Sequence, residues 1–406
     1  MTTPRSTSRF DAARRLRNYS YAILNISELA RRCEASGRPV THLNIGDPAL
    51  YGFHPPEELT RACIAAFEKN AHSYTASCGI LPAREAIARE AASRSMKTAP
   101  DDVIVTAGAT EAADLLCTAM LNPGDEVLCP SPGYPLYAAL IGRQEATCVS
   151  YRLDPANRWL PDPQEIERLI TRRTRLLVVI NPNNPTGSLC PPDLLAAIAD
   201  IAERHNIVCL ADEVYRKLVY SQTHHPLASF AGNDLCVVTL ESLSKNYMAA
   251  GWRTGWMTIT NSRLVPDIRA ALQKLADARV CAPAAPQYAI PAALSLGNDY
   301  LAPVMEKLRE RRDLTVRMVN AIEGLSCSTP EAAFYVMAKA DPAVHRFASD
   351  EEFIVELLRK KQILCVHGSG FGTDPSEGYF RIVYLPDTAT LERVYADLSD
   401  FLQHCR

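Results

Sequence analysis

No run of residues in this chain approaches the roughly 18 uninterrupted apolar positions that a membrane-spanning helix needs. The basic, polar start from Met1 to Arg17 has no apolar segment behind it to make a secretion signal. Membrane insertion and export are therefore not expected, and a cytoplasmic protein is. Long blocks of one charge are also missing: 43 Lys plus Arg stand against 46 Asp plus Glu, a formal charge of −3. Without a basic stripe, neither nucleic acid nor an acidic membrane surface is an expected partner, and an acidic substrate would have to be caught by local arginines. The 13 cysteines form no CxxC, since even the nearest pair, Cys117 and Cys129, is twelve positions apart. A metal knuckle and a dithiol redox motif are thereby excluded, and reduced core thiols are expected. His224 and His225 are adjacent but have no Cys or acidic ligand at useful spacing, and read as a solvated turn rather than a metal site. Internal repeats and low-complexity tracts are absent.

What is present is the balance of a globular protein, 47% hydrophobic and 22% charged over 406 residues, long enough for about two domains at the usual ~100 to 200 residues each. Val103–Thr106, Glu126–Cys129, Leu176–Ile180, Val208–Ala211 and Cys236–Leu240 read as strands. Their apolar runs are nearly continuous, as in strands of a parallel sheet buried on both faces. Helical periodicity over Glu111–Leu121 and Pro192–His205 makes the pattern α/β. From about Pro303 the texture changes to a long charged helix (Val304–Ile322), a strand at Phe334–Met337, a helix near Glu351–Lys361, a strand at Gly378–Leu385 and a terminal helix. A smaller α+β domain fits this stretch. The expected division is an N-terminal arm and small-domain segment (1–45), a large domain (46–300) and a C-terminal small domain (301–406). Ala282–Pro291, with three prolines among small residues, either covers the large lobe or meets a partner subunit.

The chemistry is concentrated where strands end. Glu241-Ser-Leu-Ser-Lys245 leads into Gly251-Trp-Arg253-Thr-Gly255, which sets an amine beside hydroxyls (Ser242, Ser244) and a guanidinium suited to a phosphate monoester. One amine with one phosphate clamp suggests pyridoxal 5′-phosphate (PLP). Leu210-Ala-Asp212-Glu-Val-Tyr215 delivers an acid at a strand's carboxyl end, where ligands of open α/β sheets sit. A carboxylate there would keep a pyridine nitrogen protonated. In Ile180-Asn-Pro-Asn-Asn184-Pro-Thr-Gly187 two prolines and a glycine fix the turn, so that Asn184 can donate to a phenolic oxygen. Thr106-Ala-Gly108-Ala109-Thr110 opens a helix whose free amides suit phosphate. Pro132-Gly-Tyr134-Pro offers an aromatic ring for stacking. Arg381, amid apolar neighbours in Phe380-Arg381-Ile-Val, needs an anion: a substrate carboxylate or an internal salt bridge. Gly368-Ser-Gly370-Phe-Gly372 lacks a following dinucleotide-type helix and reads as a loop.

Taken in order, Asn184, Asp212, Tyr215, Lys245, Arg253 and Arg381 resemble the class I/II aminotransferase family, of PLP fold type I, from about Leu43 to Leu402. Leu43-Asn-Ile-Gly46-Asp-Pro-Ala with Gly52-Phe-His, and Tyr21-Ala-Ile near the start, look like its bacterial alanine (glutamate-pyruvate) branch. The resemblance implies a large, mostly parallel sheet sandwiched by helices plus a smaller α+β domain, and ping-pong transfer of an amino group between an amino acid of alanine or glutamate type and a 2-oxo acid. It implies that Lys245 binds PLP covalently and then shuttles the substrate proton, that Asp212 pairs with the ring nitrogen, and that Tyr215 and Asn184 bind the phenolic oxygen. Ser242, Arg253 and the amides of Ala109 and Thr110 would hold the phosphate, Tyr134 would stack on the ring, and Arg381 with the Gly46 backbone would take the substrate carboxylate. Tyr21 falls among the substrate-side positions. Tyr74 matches a tyrosine that reaches the neighbouring subunit's phosphate, which implies a homodimer with shared sites. Two departures bear on selectivity: Leu24 stands where relatives commonly have arginine, and Ala109 where some aspartate-specific relatives have lysine.

The same cofactor also serves β-elimination, such as carbon–sulfur cleavage, and aminotransfer from a bulkier or specialised amino acid is a further alternative. A PLP-sensing regulator would need a DNA-binding segment, for which Met1 to Tyr19 is too short.

Overall fold

The computed structural model describes residues 13–16 and 22–404. Fourteen strands form three sheets among these residues. In the eight-stranded sheet the order is β2 (Val103–Thr106), β9 (Gly255–Thr260), β8 (Val237–Ser242), β7 (Val208–Asp212), β6 (Thr174–Ile180), β3 (Glu126–Ser131), β4 (Thr147–Asp154) and β5 (Leu160–Pro161). Only β9 and β5 run against the other strands. The small sheet is antiparallel, in the order β10 (Leu325–Cys327), β11 (Tyr335–Ala340), β14 (Tyr379–Val383), β13 (Val366–His367). A short parallel pair, β1 (Thr41–His42) with β12 (Ile363–Leu364), ties the early chain to the late chain.

Strand alternation explains why the large sheet needs helices on both sides. Along β6, Leu176, Val178 and Ile180 enter one core with Ala113, Leu116, Leu140 and Leu272 of helices Ala109–Met120, Leu136–Arg143 and Pro266–Ala278. Leu177 and Val179 enter the opposite core with Leu195, Ile198 and Ala202 of helix Pro192–Arg204. The apolar runs in the sequence are therefore strands buried on both faces, as expected. The proline-bearing stretch covers the β2 edge: Ala282, Ala289, Ile290 and Ala293 pack with Val103, Val105 and Trp256.

The small sheet shares a core with helices Ala302–Asn320, Asp350–Lys361 and Thr388–Gln403, and that core also takes in Ile26, Ala30 and Leu43. Two of those helices start on side-chain caps, Ser349 and Asp387, whose oxygens accept from the amides of Glu352 and Thr390. Helix Ala109–Met120 begins two residues before the expected Glu111, which places Ala109 and Thr110 in its first turn.

The solvated turn expected at His224 is corrected. Its side chain is only 5% exposed, and Nε2 lies 3.1 Å from the Asn181 carbonyl. Burial and the guanidiniums of Arg94 and Arg216 hold the ring neutral, with its pKa lowered to about 3.

Candidate active site

Five strands of the large sheet (β2, β3, β6, β7 and β8) end at one crevice, and the residue types singled out in the sequence lie just beyond those ends. Ala109, Thr110, Tyr134, Asn184, Asp212, Tyr215, Ser242, Lys245 and Arg253 together line a cavity of about 180 Å³. Ser244, Tyr137, Leu136, Ile180, Val214 and Ala250 complete its wall. The sheet register explains the convergence: Ile180 pairs with Asp212, and Asp212 pairs with Leu240, so the ends of β6, β7 and β8 lie side by side.

Lys245 donates from Nζ to the Gly46 carbonyl at 2.5 Å. Burial lowers its pKa to about 8, with Asp47 opposing and Arg253 and Arg381 assisting the shift. An amine so placed is far closer to its neutral, nucleophilic form at neutral pH than an ordinary lysine. Asp212 is raised to about 6 by burial, against the pull of hydrogen bonds from the Tyr137 hydroxyl at 2.7 Å and the Val214 amide at 3.3 Å. A cationic ring nitrogen beside it would restore the full carboxylate.

At the other end, Gly108 has φ 84° at the mouth of helix Ala109–Met120. A Cβ there would run into the Arg253 guanidinium, so glycine is required for the close approach. Arg253 is itself held by the Ala250 carbonyl at 3.0 Å, and the Ser242 hydroxyl accepts from the Ser244 amide at 3.2 Å. First-turn amides, hydroxyls and a guanidinium make a cradle for a dianionic phosphate. An amine, an acid and that cradle are the donor set that PLP requires, so the residues present fit the cofactor.

Arg381 enters from β14 of the small sheet and is 1% exposed. It donates from Nη1 to Asn184 Oδ1 at 2.9 Å and from Nη2 to the Asn44 carbonyl, and its guanidinium lies over the rings of Tyr335 and Phe371 at 4.6 and 4.7 Å. Nε has no hydrogen-bond partner. No carboxylate pairs with Arg381 among the described residues, so the internal salt bridge weighed from the sequence does not form. Because Asn184 Oδ1 accepts from Arg381, its amide nitrogen is left for the crevice.

Three partners were not singled out from the sequence. Tyr137, which holds Asp212, follows Tyr134 by three residues on the next helix, and that spacing was the available signal. Tyr335 meets Tyr215, hydroxyl to hydroxyl at 2.8 Å, and its pKa is raised to about 12 by burial. A Cβ on Gly46 would overlap the Tyr335 hydroxyl. Asn44 offers only its carbonyl, which no side-chain pattern announces. Tyr74 is not brought to the crevice of its own chain, being 84% exposed elsewhere, and Tyr21 lies outside the described residues.

Comparison with known proteins gives the same direction. The family described as aminotransferase class I and II matches residues 38–398. An alanine aminotransferase of Mycobacterium tuberculosis is 36% identical over 401 residues, covering 97% of this chain and 92% of that protein. The glutamate-pyruvate aminotransferase AlaA of Escherichia coli is 35% identical over 402 residues, covering 97% and 98%. Among solved structures, an alanine aminotransferase from Pyrococcus furiosus superposes with a TM-score of 0.93 at 37% identity, covering 97% of this chain and all of that one. No described helix is long and apolar enough to cross a membrane. With the crevice, its donor set and these matches together, the chain belongs to the class I and II aminotransferases and is a PLP-dependent transaminase that exchanges amino groups between amino acids and 2-oxo acids by a ping-pong route.

Proposed function

We propose that the physiological exchange is of alanine or glutamate type, between alanine or glutamate on one side and pyruvate or 2-oxoglutarate on the other. The observation that carries the substrate reading is Arg381, a buried guanidinium without a carboxylate, set across Asn184 from the crevice that holds Lys245. A guanidinium of this kind takes an α-carboxylate in two parallel hydrogen bonds and orients the α-carbon toward the lysine. The names of the relatives from M. tuberculosis and E. coli supply the side-chain preference.

When bound, PLP supplies an electron sink for the carbanion that forms at the α-carbon. Lys245 holds the cofactor covalently and afterwards removes and returns the proton at the substrate α-carbon, for which an amine of lowered pKa is suited. Asp212, steadied by Tyr137, keeps a proton on the ring nitrogen. Tyr215 and Asn184 would donate to the phenolic oxygen, Tyr134 would stack on the ring, and Ala109, Thr110, Ser242 and Arg253, which line the crevice, would hold the phosphate. Arg381 and the Gly46 backbone hold the substrate carboxylate.

A cytoplasmic homodimer completes the reading. Its support is the exposed apolar side chains of Ile64 (52%), Phe67 (53%) and Leu81 (51%), the first two on helix Glu57–Glu68, whose Ala62, Ala65 and Ala66 line a pocket together with Tyr74. Tyr74 would close the partner's phosphate cradle, and a monomer at working concentration in sedimentation velocity overturns this. The large domain is taken as 46–300 and the small one as 301–406, with 1–45 as arm and small-domain segment, because Ile26, Ala30 and Leu43 pack into the small domain's core.

Single-turnover spectroscopy with a panel of amino acids tests the substrate assignment. Fast loss of the lysine-bound cofactor's visible band with alanine and glutamate, reversed by pyruvate and 2-oxoglutarate, is expected. Conversion only by other amino acids moves the substrate, and pyruvate release with the band persisting points to elimination. Lys245→Ala should lose both the band and nearly all turnover.

A further inference from the structure

Directly behind the crevice lies a buried charge cluster that the reaction does not use. Arg94, at the end of helix Leu81–Ser93, donates from Nη2 to Glu90 at 2.7 Å and to Glu241 at 2.8 Å, and its Nη1 lies 3.5 Å from Glu213. Arg216 binds the other oxygens of the same acids, Glu90 at 2.7 Å and Glu241 through Nε. Glu213 accepts from the Leu227 amide at 2.9 Å and lies 3.8 Å from His224, whose ring bonds the Asn181 carbonyl. The side chains of Glu213 and Glu241 are each 1% exposed.

The members are neighbours in sequence of the cofactor-site residues. Glu213 follows Asp212, Arg216 follows Tyr215, Glu241 precedes Ser242, and Asn181 stands three residues before Asn184. Successive side chains of an extended chain point to opposite faces. One face of these strand ends therefore presents the cofactor contacts while the other presents charges to helix Leu81–Ser93. A one-residue slip of β8 would exchange Glu241 with Ser242, and only the observed register puts Glu241 between two guanidiniums.

We propose that this cluster is the positioning element of the cofactor site, with Arg94 and Glu241 acting on the reaction through Ser242, Asp212 and Tyr215 without touching the reacting groups. This rests on the site roles given above. The charge pattern is consistent with it. Burial opposes ionisation of Glu241, but Arg216 and Arg94 outweigh that and hold its pKa at about 2. Glu213 is raised to about 8 by burial, with the Glu241 charge adding to the rise and Arg94 opposing it. Lys217, over the Tyr247 and Tyr300 rings, and the Trp256 N–H, 3.4 Å from Glu241, are the remaining polar neighbours.

Glu241→Gln in the full-length holoenzyme is the test, read by the PLP dissociation constant, the pH midpoint of the lysine-bound cofactor's visible band, and the split between KM and kcat. Expected are a dissociation constant raised about tenfold or more, a pH midpoint moved down by about 0.3 unit or more because a negative charge behind the site is gone, and a fall in kcat with KM little changed. Asp200→Asn, which removes an exposed ion pair with Arg204, serves as the charge control. A Glu241→Gln enzyme that matches the parent in affinity and pH midpoint overturns the proposal. Should that variant not fold, the joint replacement Arg94→Met with Glu241→Met removes one pair and leaves Arg216 with Glu90, and the same two readouts decide. Lys245→Ala separates the two levels. If that variant retains the visible band, the site reading itself fails; if it loses the band while Glu241→Gln behaves as the parent, only the present inference fails.

Discussion

Asp212→Asn should make the cofactor-free protein more stable while crippling the enzyme. Burial lifts the Asp212 carboxyl from 3.8 to about 6, a difference of about 2 units, or about 3 kcal/mol at roughly 1.4 kcal/mol per unit. The sign follows from proton uptake: between the unfolded and folded pKa values the folded chain holds the extra proton. The stability of the cofactor-free chain therefore falls as pH rises through about 4 to 6, and the penalty is constant above that. Asparagine cannot ionise and so escapes the penalty. It also keeps the local hydrogen bonds, since its Oδ1 can accept from the Val214 amide and its Nδ2 can donate to the Tyr137 hydroxyl oxygen. Urea unfolding of cofactor-free parent and variant at pH 7.5 and pH 4 measures the effect. The variant should be more stable by up to about 3 kcal/mol at pH 7.5 and equal at pH 4. In the loaded enzyme the order reverses, because the ring nitrogen loses its counter-charge, and kcat should fall by more than about a hundredfold, or about 2.7 kcal/mol. A variant no more stable than the parent at pH 7.5, or equally stabilised at both pH values, would refute the reasoning.

Tyr137→Phe removes a hydrogen bond to a charged group, worth about 1.5 to 3 kcal/mol. It should weaken PLP binding about tenfold or more, as measured by equilibrium titration. The rate at which the cofactor-free chain takes up PLP should rise with pH and level off above about 8, where the Lys245 amine loses its proton; a flat stopped-flow profile from pH 6 to 9 contradicts this. Gly46→Ala forces a methyl into the Tyr335 hydroxyl, so it should lower kcat/KM for donor and acceptor alike. Arg381→Lys should raise KM for both substrates of the ping-pong pair by about tenfold or more, because a lysine cannot offer the two parallel bonds.

Lys245, Asp212 and Asn184 were legible in the sequence because each stands at the end of a buried strand or within a few residues of it, and the backbone alone aims strand ends of a parallel sheet at one crevice; Arg253 was legible from the motif that follows Lys245, two residues before β9 begins. Arg381 was legible for another reason, as a charge amid apolar strand residues. Its actual partners were not, since they are an amide oxygen and a main-chain carbonyl 197 and 337 positions away. Tyr137 and Tyr335 escaped for the same cause: they meet Asp212 and Tyr215 across 75 and 120 positions of chain, and an isolated tyrosine in a helix or strand reads as packing. His224 was misjudged because its polar neighbours Ser221, Gln222 and Thr223 look like a solvated loop. In the fold, that loop returns beneath the sheet end and presents His224 to Glu213.

The division of labour between the two sheets explains why the site needs both. Every residue lining the crevice comes from the large sheet's ends and the segments that follow them, whereas Arg381 and Tyr335 come from β14 and β11 of the small sheet. Of the hydrogen bonds that cross the seam, two join small-sheet side chains to residues of the crevice, Arg381 to Asn184 and Tyr335 to Tyr215. Each lands on a residue assigned to the phenolic oxygen. The small sheet thus fixes the orientation of the Asn184 amide, whose oxygen is taken by the guanidinium, and gives the Tyr215 hydroxyl a partner in Tyr335. What remains facing the crevice on Asn184 is therefore an N–H, a donor. Residues far apart in the chain thereby settle the hydrogen-bonding sense of a site whose members were recognisable one by one, and the seam is what makes the set act together.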